Sequence, residues 1–179
     1  VAVGTTNIKT RRSRVGVGYL SLLHRAIRAR SAAEARELLR SAPRAAAHTY
    51  WLADAQGAME LECDPDTVVE RRADSQPLAR TNHCLSGTMQ QAEGEPPTAS
   101  SQKRLARAQA TLAAGAQDVE SMQALMRDRS DGVDSINRYT EDAQGTTTNA
   151  CLIAIPERLE LWACRGPADR GEWRQLPFG

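Results

Sequence analysis

Between Leu78 and Leu85 the sequence sets a carboxamide, an imidazole and a thiol on consecutive residues, Asn82, His83 and Cys84. A carboxamide donates two hydrogen bonds without bringing charge, which suits an oxyanion developing during attack on a carbonyl. The thiol beside an imidazole raises a second reading, a Cys84 nucleophile with His83 as its base. Neighbouring residues of an extended segment point to opposite faces, however, so these two side chains would not meet. The bland alternative is a strand end carrying a turn-forming Asn, a hydrogen-bonded His and a small buried Cys.

The run Thr81-Asn82-His83-Cys84-Leu85 resembles the Thr-Asn-His segment of the isopenicillin-N acyltransferase family, which includes the acyl-coenzyme A:6-aminopenicillanic acid acyltransferases. Three earlier blocks are similar to that family in the same order. They are Val3-Gly4-Thr5-Thr6-Asn7, then His48-Thr49-Tyr50-Trp51-Leu52-Ala53-Asp54, then Gly57-Ala58-Met59-Glu60-Leu61-Glu62. A looser likeness runs from Thr147 to Pro167. The resemblance implies an α+β fold, the four-layer αββα sandwich of the N-terminal nucleophile hydrolases, incomplete here at its N-terminus. It further implies a precursor that cleaves itself in front of a Cys, whose new N-terminal thiol attacks an amide or thioester with the free α-amino group as base. The acyl group then passes to an amine, as in an acyltransferase, or to water, as in an amidohydrolase. On this likeness Asn82 is the oxyanion-hole side chain, and Asn7 and Thr6 bind substrate. No cofactor is implied; acyl-coenzyme A would enter as a substrate.

The sequence departs from the family pattern in two places. The family's nucleophile follows a Gly, whereas Cys63 follows Glu62, Cys84 follows His83, Cys151 follows Ala150 and Cys164 follows Ala163. The resemblance therefore expects an upstream segment carrying the nucleophilic Cys, with residues 1–179 as the C-terminal portion of a larger protein; the opening Val1-Ala2-Val3, without Met, agrees with that reading. Where some members carry a Ser-Arg pair before a late Gly, this chain has Ala143-Gln144. A non-catalytic binding or interaction domain on the same fold is the competing reading.

A chain of 179 residues with 41% hydrophobic content can bury a core, and a single domain over 1–179 is the expectation. Twenty-three Lys and Arg against 22 Asp and Glu leave a formal charge of +1, which gives no support to a nucleic-acid or membrane partner. A small-molecule amide or thioester substrate is the partner expected, with a homo-oligomer left open. The four cysteines are widely spaced without a C-x-x-C pair, so no metal site is expected, and they read as reduced thiols in a cytoplasmic protein. The sequence has no apolar run near roughly 18 residues and no charged-then-apolar leader.

The elements that must position these residues follow from periodicity. Val1 to Thr6 reads as a strand, and the basic run Lys9 to Arg14 as a solvated loop. Leu20, Leu22, Leu23, Ala26 and Ile27 lie at helical spacing within a helix over Tyr19–Arg30. Ser31-Ala32-Ala33-Glu34 is a capping box opening a second helix that must stop before Pro43. His48–Asp54 and Ala58–Cys63 alternate around a turn with Gly57 available for positive φ, a hairpin. Thr67–Arg71 and Leu78–Leu85 read as further strands, and the polar stretch Gly87–Ser100, with Pro96-Pro97, as a loop bordering a pocket. Helices are expected over Ser101–Ala114 and from Asp118 through Met126. After an irregular stretch from Asp131 to Gln144, strands over Thr147–Ile155 and Leu159–Arg165 flank the turn Pro156-Glu157-Arg158. Trp162 and Trp173 are expected to cover that sheet, and Cys84, near the pocket, to be more accessible than Cys151.

Overall fold

The computed structural model describes residues 1–115, 117–142 and 145–177. Its packing divides the chain into two compact units, Val1–Thr98 and Ala99–Gly179. Both are mixed α/β with antiparallel sheets. Residues Ala143 and Gln144 lie outside the described residues.

In the first unit, β1 (Ala2–Thr6), β2 (His48–Asp54), β3 (Gly57–Cys63) and β4 (Val68–Arg72) form an antiparallel sheet in that order. The β2–β3 register pairs Asp54 with Gly57, which adopts φ +143° as the tight turn demands. Two helices, α1 (Tyr19–Ala26) and α2 (Ala32–Ser41), cover one face. Leu22, Ala26, Ala35 and Leu39 meet Tyr50, Leu52, Met59, Leu61 and Cys63 there in a continuous apolar core.

The expected capping box of α2 is half as drawn. The Ser31 side chain accepts from the Glu34 amide at 3.1 Å, but Glu34 reaches one residue further back and accepts from the Arg30 amide at 2.9 Å. Asp54, at the hairpin tip, accepts from the Ala32 amide at 2.7 Å and from the Gln56 amide at 2.8 Å, so one carboxylate ties the turn to the start of α2. At the other end of α2 the buried Arg44 donates to Leu39 O and Arg40 O and, through Nε, to Asp64 O. Helix α1 stops at Ala26 rather than Arg30, since only Ala29 beyond it packs on the core while Ile27 is exposed.

Two expectations in this unit are overturned. Leu78–Leu85 joins no ladder; it crosses the sheet's second face as an irregular segment. Its apolar ends resemble those of a strand, but its backbone groups are met by side chains instead. The stretch Gly87–Ser100 is not all loop, because α3 (Gly87–Ala92) forms where Ser86 caps the Met89 amide and Met89 is fully buried beside Ile8, Ala47 and Cys84.

The second unit holds α4 (Ala99–Ala113), α5 (Val119–Met126), a 3-10 turn at Gly132–Asp134, and the sheet β5 (Ala150–Ile155), β6 (Glu160–Arg165), β7 (Trp173–Leu176). Asp118 caps α5 reciprocally with Ser121. Leu159 takes φ 53° to close the β5–β6 turn. Strand β7 escapes the sequence reading because it is only four residues long. Its Trp173 packs with Cys151, Cys164 and Ala168, while Trp162 sits half-buried in β6. Among the described residues no helix is long and apolar enough to cross a membrane.

Candidate active site

On β3 the residues alternate, so Glu60 and Glu62 project from the face opposite the α1/α2 core. Alternation of this kind reads as a solvated face, yet both residues are 2% exposed. What covers them is the irregular segment and its Arg80. The Arg80 guanidinium pairs with Glu60 and donates to Glu62 Oε1 at 3.0 Å and to His83 O at 2.8 Å. From β4, Arg71 donates to Glu60 at 2.6 Å and to Ala79 O at 3.3 Å. Burial works against the Arg80 charge, but the bonds to Glu60 and Glu62 outweigh it and hold the group firmly protonated.

Glu62 also receives the backbone of the segment, together with Glu93. Glu62 accepts from the Leu85 amide at 2.7 Å and the Ser86 amide at 2.9 Å, and Glu93 accepts from the Cys84 amide at 2.8 Å. Gln90 donates to Cys84 O at 3.2 Å. Thr81, His83 and Cys84 are consequently buried, with Thr81 Oγ1 and His83 Nδ1 3.3 Å apart, while Asn82 between them is exposed.

Asn82 Nδ2 donates to the backbone oxygen of Asn7 at 3.2 Å. Both asparagines line a cleft of about 130 Å³ together with Lys9, Glu93, Glu95 and Pro96. The structure thus brings Asn7 and Asn82, 75 residues apart, to one place. Thr6 lies one residue earlier, paired with Thr49 in the β1–β2 ladder. A second cavity of about 440 Å³ also includes Asn7 in its lining, with Ile8, Arg12, Tyr19, Ala47 and His48. His48 was read only as the start of a strand; it stacks on Tyr19 at 3.9 Å and bonds Thr5 Oγ1 at 3.0 Å. Burial lowers its pKa, partly offset by a bond to the Thr6 backbone, so near neutral pH the ring is uncharged.

The cysteines correct one expectation. Cys84 is 0% exposed against 9% for Cys151, so it is the less accessible of the two. Burial pushes its thiol pKa up to about 12, with the carboxylates of Glu93 and Glu62 adding to the effect. Cys63 is likewise raised to about 12 by burial, and Cys151 to about 11. All four cysteines are free and buried. A thiol held protonated is a poor nucleophile, which removes the physical basis for a Cys84–His83 pair. Among the described residues no group of three or more His, Cys, Asp or Glu could hold a metal ion.

The residues missed by sequence reasoning are Glu60, Glu62, Arg80 and Glu93. The available signal was two acidic residues two apart inside an apolar strand, with an arginine two residues before the Asn.

Comparison with known families makes the class an acyltransferase, for residues 1–168 match a family model described as acyl-coenzyme A:6-aminopenicillanic acid acyl-transferase. The chain belongs to that family, whose match covers the first unit with the whole of the Asn82 segment and the second unit as far as residue 168. No curated protein matches the chain.

Proposed function

We propose that this chain supplies the oxyanion-stabilising part of an acyltransferase that works through an N-terminal Cys nucleophile carried outside residues 1–179. The thiol attacks the carbonyl of a thioester or amide, and the tetrahedral oxyanion forms at that carbonyl oxygen. Collapse expels the leaving group, for acyl-coenzyme A its thiol, with the proton taken from the cysteine and relayed by the α-amino group. The resulting acyl-enzyme thioester is attacked by an amine, which gives an amide and restores the cysteine; water in place of the amine gives hydrolysis. Asn82 donates to the oxyanion, and Asn7, with Thr6 behind it in β1, borders the substrate. Self-cleavage before the Cys creates the nucleophile, and the whole enzyme has the four-layer αββα fold of the N-terminal nucleophile hydrolases.

The observation that carries this reading is the exposure of Asn82 over a cleft while Thr81 and His83 on either side of it are buried. A neutral donor held in place is what a developing oxyanion requires, and it costs no reorganisation when the charge appears. Four buried thiols, three of them with pKa values of about 11 to 12, favour a nucleophile from elsewhere. The test is Asn82→Ala in the full-length enzyme, assayed with an acyl-coenzyme A donor and either 6-aminopenicillanic acid or hydroxylamine as acceptor. Turnover should fall about 100- to 1,000-fold with the fold retained. Unchanged turnover would remove Asn82 from the mechanism.

A further inference from the structure

The segment carrying Asn82 is held in an unusual way. Backbone amides and carbonyls away from water need partners, and a strand obtains them from its neighbours in the ladder. Here the partners are side chains, most of them fixed on other elements. Glu62, on a strand flanked by β2 and β4, presents one oxygen to the Leu85 amide and the other to the Ser86 amide. Arg80, two residues before Asn82, closes a short loop by donating to His83 O, one residue after it. The same guanidinium is anchored on Glu60 and Glu62. Asn82 therefore stands at the tip of a loop with ties to the sheet on both sides.

We propose that Glu62 and Arg80 form a positioning clamp that sets the location of the Asn82 carboxamide over the cleft, with Glu62 as its principal member. The proposal rests on Asn82 being the oxyanion donor. The side chains of Arg80 and Glu62 are only 6% and 3% exposed, so neither is a substrate contact; they act through Asn82. The placement of Glu62 on β3, with Arg80 anchored on Glu62 and Glu60, makes the sheet the reference frame for a side chain that no ladder holds. An acceptor carboxylate facing two amides cannot be replaced by a carboxamide without turning one acceptor into a donor, so Glu62→Gln sets an N–H against an N–H at Leu85 or Ser86. It leaves Arg80 paired with Glu60, so no buried charge loses its only partner.

The experiment is a double-mutant cycle on the full-length enzyme, with acetyl-coenzyme A as donor and hydroxylamine as acceptor. It is read alongside the NMR order parameter of the Asn82 side-chain amide. Glu62→Gln is expected to lower kcat about 10- to 100-fold with KM nearly unchanged, since a small misplacement of a reacting group costs rate rather than binding. In the Asn82→Ala background the same substitution should cost nothing further. The Asn82 amide order parameter should fall in Glu62→Gln. Arg80→Lys, which keeps the charge but not the fork, should reproduce both effects and covers the case in which Glu62→Gln does not fold. Equal losses in the presence and absence of Asn82, or an unchanged order parameter in a folded variant, would overturn the clamp. Should Asn82→Ala leave turnover intact, the oxyanion assignment fails and the order parameter alone decides whether Glu62 positions Asn82.

Discussion

Arg44 is 4% exposed and its guanidinium is met by backbone oxygens: Leu39 O at 2.8 Å and Arg40 O at 3.0 Å from the end of α2, and Asp64 O at 2.8 Å beyond β3. Arg44→Met keeps the apolar stem and removes every one of these bonds. Hydrogen bonds to a charged group are worth roughly 1.5 to 3 kcal/mol each, and a cation at a helix C-terminus adds about 0.3 to 1 kcal/mol. The guanidinium's own desolvation offsets a large part of that sum. A net loss of about 3 kcal/mol is expected, which lowers Tm by roughly 6 to 12 °C for a chain of this length. Arg44→Lys should lie between the two, because a single ammonium cannot serve the helix end and Asp64 together. Urea unfolding with an unchanged m value measures the loss. A Met variant within about 0.5 kcal/mol of the parent would refute the reasoning, since the bonds would then merely replace those to water.

Two further outcomes follow from the described geometry. Asp54 has its carboxyl pKa lowered, first by the Ala32 amide and then by the Gln56 amide. Its folded value lies below its unfolded one, so its contribution is fully present above an ordinary carboxylate pKa of about 4 and is lost as pH falls through the folded value. The stability gap between the parent and Asp54→Asn, measured by urea midpoints, should thus be widest near neutral pH and close in acid; a gap that survives in strong acid would contradict the assignment. For the thiols, a maleimide or disulfide reagent on the native protein should label Cys151 before Cys84 and all four only after unfolding, with mass spectrometry locating the adducts; Cys84 labelling first would show that its segment opens.

How much of this was legible in the sequence depends on whether a residue's partner is local. The β2–β3 hairpin could be read because alternation and Gly57 act within a few residues, and the α2 cap could be read from Ser31 and Glu34 for the same reason. Asn7 and Asn82 came together through a likeness of whole blocks, which encodes long-range arrangement that periodicity cannot. Leu78–Leu85 was misread because apolar ends around polar residues look alike in a strand and in a segment pinned by side chains. Glu60 and Glu62 look like solvent-facing positions until Arg80, some twenty residues away, is known to lie above them. The accessibility of Cys84 failed for the same reason, since the cover over it comes from Met89 and Ile8.

The residues that line the cleft are held on two different terms. Lys9 and Glu95 meet at 2.6 Å with both side chains more than half exposed, a pair of the kind that contributes little to stability. Substitutions there change the cleft lining without touching the bonds that hold the Asn82 segment. Glu62 has no such latitude, being shared among a guanidinium and two amides. On the proposed function, substrate preference is thus free to drift at the Lys9–Glu95 pair while the chemistry stays fixed, because the bonds that hold the Asn82 segment to β3 do not involve that pair.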